Sequence, residues 1–571
     1  MRTHTCGELR AKNSGENVTL QGWIDAIRDH GKMVFISLRD RYGVTQVVLA
    51  DAELIEKGKK LGGEYVVEVE GMVRERPSDM RNPSLGTGKI EVVASRIKLI
   101  SSSSVPPFVI KDSATAKDEL RMKYRYLDLR RPSMQKNLIM RSKVINTVRA
   151  YLLKRNFLEI ETPCLTRTTT EGARNFVVPS RNFKGKFYSL AQSPQIYKQL
   201  LIIAGVDRYF QFAKCFRDED QRADRQPEHT QIDLEMSFVD EEEVMELVEG
   251  MIQTIFENIL GLKVKVPFQR LRYRNAMEQY GTDKPDTRSD VYISDITKIA
   301  KKSEFRIFKE VKFVRALTVS LLTRKRIDEF SEFALKYYNS RISYLSFKET
   351  ISGNIAKFFS SKLTGELKSA LSIRGEGTVL FCAGDWKRSL ETLGAIRNKV
   401  LEGKTPEEKY KLLWVTDFPL FEWDNKTGSW APCHHIFTMP KTDDFKDPST
   451  IAGKQYDLVL NGIELGSGSI RIHDRDLQER MMEIGGMDKA KRDREFGFFL
   501  SALTYGTPPH GGIAIGLDRL LMILAGKDSI QEVIPFPKTL TGAGLMEDVP
   551  SEIENEKLKE LGIRITSTGN Q

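Results

Sequence analysis

Cysteine is scarce. The 571 residues hold five, at positions 6, 164, 215, 382 and 433, an odd number with no CxxC pair. That argues against a disulfide framework and a zinc site, and for reduced thiols in a cytosol. No apolar run approaches the ~18 residues of a membrane span, and Met1 to Cys6 lacks the apolar stretch of a secretory signal. There is no internal repeat. What is present is the composition of an ordinary soluble globular protein, 40% hydrophobic and 29% charged. The length calls for three or four domains. The net charge of +10 favours a polyanionic partner, nucleic acid before acidic protein.

Residues 1–104 read as short strands. Alternation runs through Val18-Thr19-Leu20, Val34 to Leu38 and Thr45 to Leu49, then Tyr65 to Val73 and Lys89 to Ile100. A helical piece, Ala52 to Leu61, follows the third strand. Five strands with a helix after the third is the order of an OB barrel, a frequent binder of single-stranded nucleic acid. Cations among these strands (Arg28, Lys32, Arg39, Arg41, Arg74, Arg76) alternate with Trp23, Phe35 and Tyr42, which suits unstacked bases. Core aromatics beside solvated cations give the plain alternative. Ser101 to Pro107 is linker-like. A basic helix is predicted from Lys117 to about Leu153. Residues 105–140 are taken as a hinge, 141–287 as mixed α/β, 288–412 as a lysine- and serine-rich insertion, and 413–571 as a return to strands with a polar extension.

Charge is densest from Phe216 to Glu235, where twenty residues hold three arginines and seven carboxylates. A core cannot use that density unpaired. A salt-bridged surface hairpin could, and so could a site holding a polyphosphate and its cations. Arg217 offers a fork for phosphate oxygens, and Glu219 projects from the same face of an extended strand. Ser193-Pro194-Gln195 predicts a helix start with Ser193 as N-cap and Gly205 as stop. Gln195 and Lys198 then share a face, where Lys198 is either solvated or holds a carboxylate. Asn461-Gly462 predicts a hairpin pairing Leu460 with Ile463 and Val459 with Glu464. Asp457 and Glu464 then lie close on one face, a hard-oxygen site suited to Mg²⁺. Arg471 would need a bulge at Gly466-Ser467-Gly468 to turn towards them. Arg519 opens a buried helix and needs an anion, either a carboxylate or a phosphate. Of His434 and His435, at most one faces a ligand.

Arg155 to Pro163 resembles motif 1 of the class II aminoacyl-tRNA synthetases, Phe216 to Glu219 motif 2, and Gly512 to Arg519 motif 3. With the barrel first and the insertion between motifs 2 and 3, nearly the whole chain is similar to bacterial-type aspartyl-tRNA synthetases. Lys123 to Pro132, Phe216 to Glu228 and Gly506 to His510 are close matches. Asn156 departs from the family's usual Gly, and Ile436 from its usual Pro. The resemblance implies a multidomain α+β protein: an OB-fold barrel, an antiparallel catalytic sheet and an inserted α/β domain. It implies a cytoplasmic homodimer, joined through motif 1, that uses ATP, Mg²⁺, L-aspartate and tRNA and has no membrane association.

By the same resemblance, Arg217 grips the α-phosphate, Glu219 the adenine end and Arg519 the far phosphates. Asp218, Gln226, Glu464, Gly516, Leu517 and Asp518 match ATP-contacting positions, and Asp457 with Glu464 matches the metal ligands. Lys198 and Arg471 would clamp the side-chain carboxylate of aspartate, with His434 near it. Glu171, Ser193, Gln195 and Asp233 would lie at or near the ammonium. On the barrel, Arg28, Phe35 and Gln46 match anticodon-loop positions, with Arg76 and Glu91 as neighbours. His30 resembles enzymes that charge both aspartate and asparagine tRNAs, although Asp79 stands where those carry a small residue. The implied activity is aspartate–tRNA ligation, on both tRNAs or on the aspartate tRNA alone. Asparaginyl or lysyl specificity is disfavoured because neither substrate needs two cations. A silent RNA-binding paralogue would have lost some of these residues, and none is missing.

Overall fold

Apolar residues at every second position close the N-terminal strands into a barrel. In the computed structural model, which describes residues 1–168 and 173–566, these strands are Asn17–Asp29, Val34–Asp40, Gly43–Leu49, Val66–Glu75 and Ile90–Ser101. They close in the order first, second, third, fifth, fourth. Inward-facing Leu20, Ile36, Leu38, Val47, Val67, Val69 and Val92 are fully buried. The helix Ala52–Lys59 sits between the third and fourth strands, its Asp51 cap accepting from the amides of Glu53 and Leu54.

The chain divides into two units, of which the barrel unit comprises Met1–Ser142, Gln221–Asp224 and Ala525–Glu552. The 105–140 hinge segment belongs to it. The single basic helix predicted from Lys117 is instead three: Asp118–Lys123, Arg125–Asp128 and Pro132–Leu153. Tyr124, at φ −108° and ψ 44°, leaves the helical region, and Pro132, lacking an N–H, begins a new helix more readily than it continues one. Arg125 lies between these breaks, and its guanidinium donates to the carbonyls of Gln531, Ile534 and Pro535 at 2.7–2.9 Å. Buried Asp128 accepts from Arg125 and Arg131, so the run Lys123 to Pro132 is a structural clasp.

The other unit is built on an eight-stranded sheet. Its order is Gln269–Arg272, Leu412–Thr416, Gln455–Leu460, Ile463–Ile470, His510–Gly516, Glu228–Ser237, Arg208–Phe216 and Leu158–Glu159. All neighbours are antiparallel except the outermost pair at each end. Asn156, just before the edge strand, has φ 62°, a left-handed value that Asn tolerates in place of Gly. The insertion is a three-layer sandwich. Its antiparallel sheet runs Ile293–Asp295, Phe313–Val319, Gly377–Gly384, Ile342–Phe347, Ile351–Ser352. Leu317, Val319, Leu380 and Cys382 meet one helix layer, and Val314, Ala316, Val379 and Phe381 meet the other. Among the described residues no helix is long and apolar enough to cross a membrane.

Candidate active site and barrel face

Period-two geometry puts Asp233 and Glu235 of the Glu228–Ser237 strand on one sheet face. Both are buried, and both meet Lys198 from the helix Gln195–Ile203. Lys198 Nζ lies 3.3 Å from Asp233 and 3.2 Å from Glu235. Glu235 is also forked by Arg471, at 2.8 Å from Nε and 3.1 Å from Nη2. Arg471 follows the strand Ile463–Ile470 and is fixed further by Ser469 Oγ at 2.6 Å and the Gly512 carbonyl at 3.3 Å. Two cations and two carboxylates therefore share one water-poor site. Burial works against ionising Glu235, but Arg471 and Lys198 outweigh it and hold the carboxyl down at about 2. For Asp233 burial wins: with Glu235 adding to it against Lys198, the carboxyl is pushed up to about 6. Lys198 donates to Asp233 Oδ2 at 3.4 Å, while Asp233 Oδ1, 3.3 Å from the same ammonium, accepts no aligned hydrogen bond.

Gly512 permits this arrangement. A Cβ there would stand 2.1 Å from the Leu234 carbonyl and 2.2 Å from Glu235 Oε2. Glu235 is the residue the sequence reading omitted. Its signal was present, two positions beyond Asp233 on the same strand. Gln195 donates to Gln199 at 3.1 Å, and Gln199 in turn meets His510 Nε2 at 3.1 Å. Ser193 does not cap the helix. Pro194 is the N-cap residue, and no side chain satisfies the first turn. Gly205, at φ 87°, does end it. Of the histidine pair, His435 is the one at the cluster, with Nε2 2.9 Å from Arg471 Nη1. His434 stands edge-on to Phe418, with ring centroids 5.1 Å apart. Glu171 lies outside the described residues.

The Asn461-Gly462 turn forms as its local chemistry demands, with φ 53° and 81° and with Leu460 opposite Ile463 and Val459 opposite Glu464. One residue later the register slips, since Leu458 faces Gly466 and leaves Leu465 as the bulge. The bulge thus precedes the expected Gly466-Ser467-Gly468. Asp457 is buried, and its carboxyl is held well above the ordinary range, first by burial and then by the charge of Glu464. Gln455 donates to Asp457 at 3.2 Å, and Lys284 approaches Glu464 at 3.6 Å. Two oxygen ligands that repel one another fit a hard divalent cation completing its shell with phosphate and water. Among the described residues no group of three or more His, Cys, Asp and Glu side chains could form a fuller protein cage.

Antiparallel strands Arg208–Phe216 and Glu228–Ser237 bracket the charged loop. The Arg217 amide donates to the Pro227 carbonyl at 2.8 Å, while its Nε is buried without a hydrogen-bond partner. His229 is pushed down to about 4 by burial first and then by the positive charge of Arg217, to which Arg519 adds less. Glu219 accepts from Arg225 at 3.0 Å, and Asp218 bridges to Arg174 through its backbone. Gln226 is buried. Arg519 donates to the Glu464 carbonyl at 3.0 Å, which ties it to the hairpin. Asp518 corrects its expected role: its buried carboxylate accepts from the Thr230 amide at 2.9 Å and joins helix Leu517–Leu524 to the sheet. Leu517 is likewise a core side chain, and Gly516 ends its strand where a Cβ would lie 3.5 Å from the Leu465 carbonyl and 3.8 Å from the Arg519 side chain.

On the barrel, Arg28 donates to Gln46 at 3.2 Å, Gln46 to Glu91 at 2.9 Å, and Arg74 to Glu91 at 2.6 Å. Phe35 is half-buried, with His30 edge-on at 5.5 Å. Arg76 donates to the Ile90 carbonyl and keeps Nη2 buried without a partner. Asp79 is exposed in the turn Ser78–Met80. The result is an ordered polar strip beside one available aromatic face. Arg74, one of the cations named among the strands, completes it.

Residues 18–100 match the family described as OB-fold nucleic acid binding domain, and residues 117–540 the tRNA synthetases class II (D, K and N). An aspartate–tRNA(Asp/Asn) ligase of Desulfatibacillum aliphaticivorans is 46% identical, covering 99% of this chain and 98% of its own. One from Nitratidesulfovibrio vulgaris is 47% identical, with 99% and 95% covered. The fold is similar to that of a putative aspartyl-tRNA synthetase from Leishmania major, at TM-score 0.61, 21% identity and 94% coverage of both chains. It is also similar to an asparaginyl-tRNA synthetase from Pyrococcus horikoshii, at TM-score 0.59 and 22% identity, with 94% and 98% covered. With that family match over 117–540 and relatives aligned end to end, the chain belongs to the class II aminoacyl-tRNA synthetases of the D, K and N group.

Proposed function

We propose that this synthetase is an aspartate–tRNA ligase that charges both the aspartate and the asparagine tRNA. The observation that carries the amino-acid choice is the charge balance at Glu235. Lys198 and Arg471 bring two positive charges and Glu235 neutralises one. Asp233 lies 3.3 Å from Lys198, and once its carboxylate serves the substrate ammonium, one positive charge is left for a side-chain carboxylate. Asparagine would leave that charge uncompensated in a buried site, and lysine would add to it.

In this reading the aspartate α-carboxylate attacks the α-phosphorus of ATP and pyrophosphate leaves. The 3′-terminal ribose hydroxyl of the tRNA then takes the aspartyl group and AMP is released. Arg217, with its free buried Nε, stabilises charge on the α-phosphate, and Arg519 serves the far phosphates. Asp457 and Glu464 would hold Mg²⁺, which supplies charge neutralisation for the pyrophosphate. Glu219 takes the adenine end, Gln226 and Gly516 flank the nucleotide, and Gln195 and Ser193 lie towards the ammonium. Relaxed tRNA choice is supported by His30 against Phe35 and by relatives named for both tRNAs. We further infer a cytosolic homodimer. Five unpaired thiols support the compartment, and an edge strand that leaves Leu158 56% exposed supports the dimer.

Amino-acid-dependent ATP–pyrophosphate exchange tests the first half. Aspartate alone of the twenty should support exchange, Arg217→Ala should abolish it, and exchange driven by asparagine or lysine would overturn the assignment. Aspartylation of transcripts carrying the two anticodons tests the second half, and no charging of the asparagine tRNA would refute it.

A further inference from the structure

The net charge of this chain is not spread over it. Residues 288–412 carry 25 Lys and Arg against 15 Asp and Glu, a net +10 equal to that of the whole chain, so everything outside the insertion sums to zero. Within the sandwich the excess is again one-sided. The layer made by helices Thr297–Ala300, Arg306–Glu310 and Ser361–Ala370 packs on the core of Ile296, Phe308, Leu367 and Phe381. Segments 297–312 and 356–374, which form this layer, hold ten cations and three carboxylates. Two of those carboxylates are taken, Glu366 by Lys302 and Glu310 by Arg306. The other eight cations have no ion-pair partner among the described residues. The opposite layer differs. Its helices Arg324–Tyr338 and Trp386–Leu401 offset eight cations with four carboxylates, and one of the cations, Arg397, is buried.

Unscreened cations held on one face raise the folding cost by self-repulsion and do not help the core. A polyanion that lies along the face relieves that repulsion and releases its own counterions. The exposed lysines are spread over three short helices and their loops rather than gathered at one point, which suits a phosphate backbone rather than a single small anion. We propose that this helix layer of the insertion is a second RNA-binding surface, which holds the phosphate backbone of the tRNA without reading its sequence. Only the choice of RNA as the polyanion rests on the tRNA-charging function proposed above.

The test compares two full-length variants that remove the same charge. One is Lys298→Gln/Lys301→Gln/Lys309→Gln/Lys362→Gln, all exposed side chains of the basic layer. The other is Lys325→Gln/Lys336→Gln/Arg388→Gln/Lys404→Gln, on or just beyond the helices of the opposite layer. Binding of an aspartate tRNA transcript is measured by fluorescence anisotropy from 50 to 200 mM salt. The basic-layer variant should bind at least about tenfold more weakly at low salt, with the slope of log affinity against log salt reduced by about one per lysine lost. The opposite-layer variant should stay near wild type. Equal weakening in both would reduce the effect to the general field of the protein, and no change in either would exclude RNA from this face; both results overturn the proposal. Exchange with aspartate, which needs no tRNA, should be unchanged in both variants. Its absence in the wild type would refute the catalytic assignment and leave the RNA measurement intact.

Discussion

Asp233 and Glu235 sit two residues apart on one strand face, and neutralising them should move stability in opposite directions. Glu235 is held from 4.5 down to about 2 by Arg471 and Lys198, which overcome its burial. Linkage makes that worth about 3 kcal/mol to the fold at neutral pH. Asp233 is pushed from 3.8 up to about 6, mainly by burial. Its ionised form at pH 7 therefore costs about 3 kcal/mol. Glu235→Gln should lower the unfolding midpoint, since it leaves Lys198 and Arg471 short of a counter-charge. Asp233→Asn should raise the midpoint by a comparable amount while reducing aspartate-dependent exchange about 10²-fold or more, because the ammonium loses its charged partner. The wild type should show the same opposition. As pH falls from 6 towards 4, Asp233 takes a proton in the folded state before it would in the unfolded chain, and stability rises. Below about 4.5 the unfolded chain protonates at Glu235 first, and stability falls. Aspartate affinity should meanwhile weaken below pH 6. The measurements are thermal unfolding of both variants without ligand at pH 7, and exchange from pH 5 to 8. Destabilisation of Asp233→Asn to the extent of Glu235→Gln would refute the assigned charge states.

Phe35→Ala should raise the KM for tRNA about tenfold, as expected for one lost base-stacking contact, with pyrophosphate exchange unchanged; a parallel loss of exchange would contradict a purely tRNA-facing role. Asp457→Asn should melt higher than wild type without Mg²⁺, because it removes a buried carboxylate repelled by Glu464, yet need more Mg²⁺ for exchange. An unchanged Mg²⁺ titration would remove Asp457 from the metal site. Gly512→Ala should displace Glu235 and lose both stability and aspartate activation, by about 2 kcal/mol or more from overpacking; wild-type kinetics in that variant would show that the strand contact tolerates a methyl group.

What the sequence disclosed and what it concealed separate by range. The barrel strands and the Asn461-Gly462 hairpin were legible because alternation and turn chemistry act over a few residues. The single basic helix expected from Lys117 to Leu153 is broken for a similar reason: its cations read as one continuous segment, while Arg125 and Asp128 serve carbonyls and guanidiniums brought in by the fold. Asp518 was matched to an ATP-contacting position by resemblance, and the contact its carboxylate makes, with the Thr230 amide, lies 288 residues away.

The charged run from Phe216 to Glu235 combines both cases. Its loop residues form short-range pairs such as Glu219 with Arg225, as a surface hairpin would. Its strand residues do not, because the pleat sends Asp233 and Glu235 beneath the sheet face to cations that arrive from two distant elements. The short-range pairing of a surface hairpin and the long-range pairing of a buried charge cluster therefore divide one segment between them. The boundary between them falls where the chain stops being a loop and becomes the strand Glu228–Ser237.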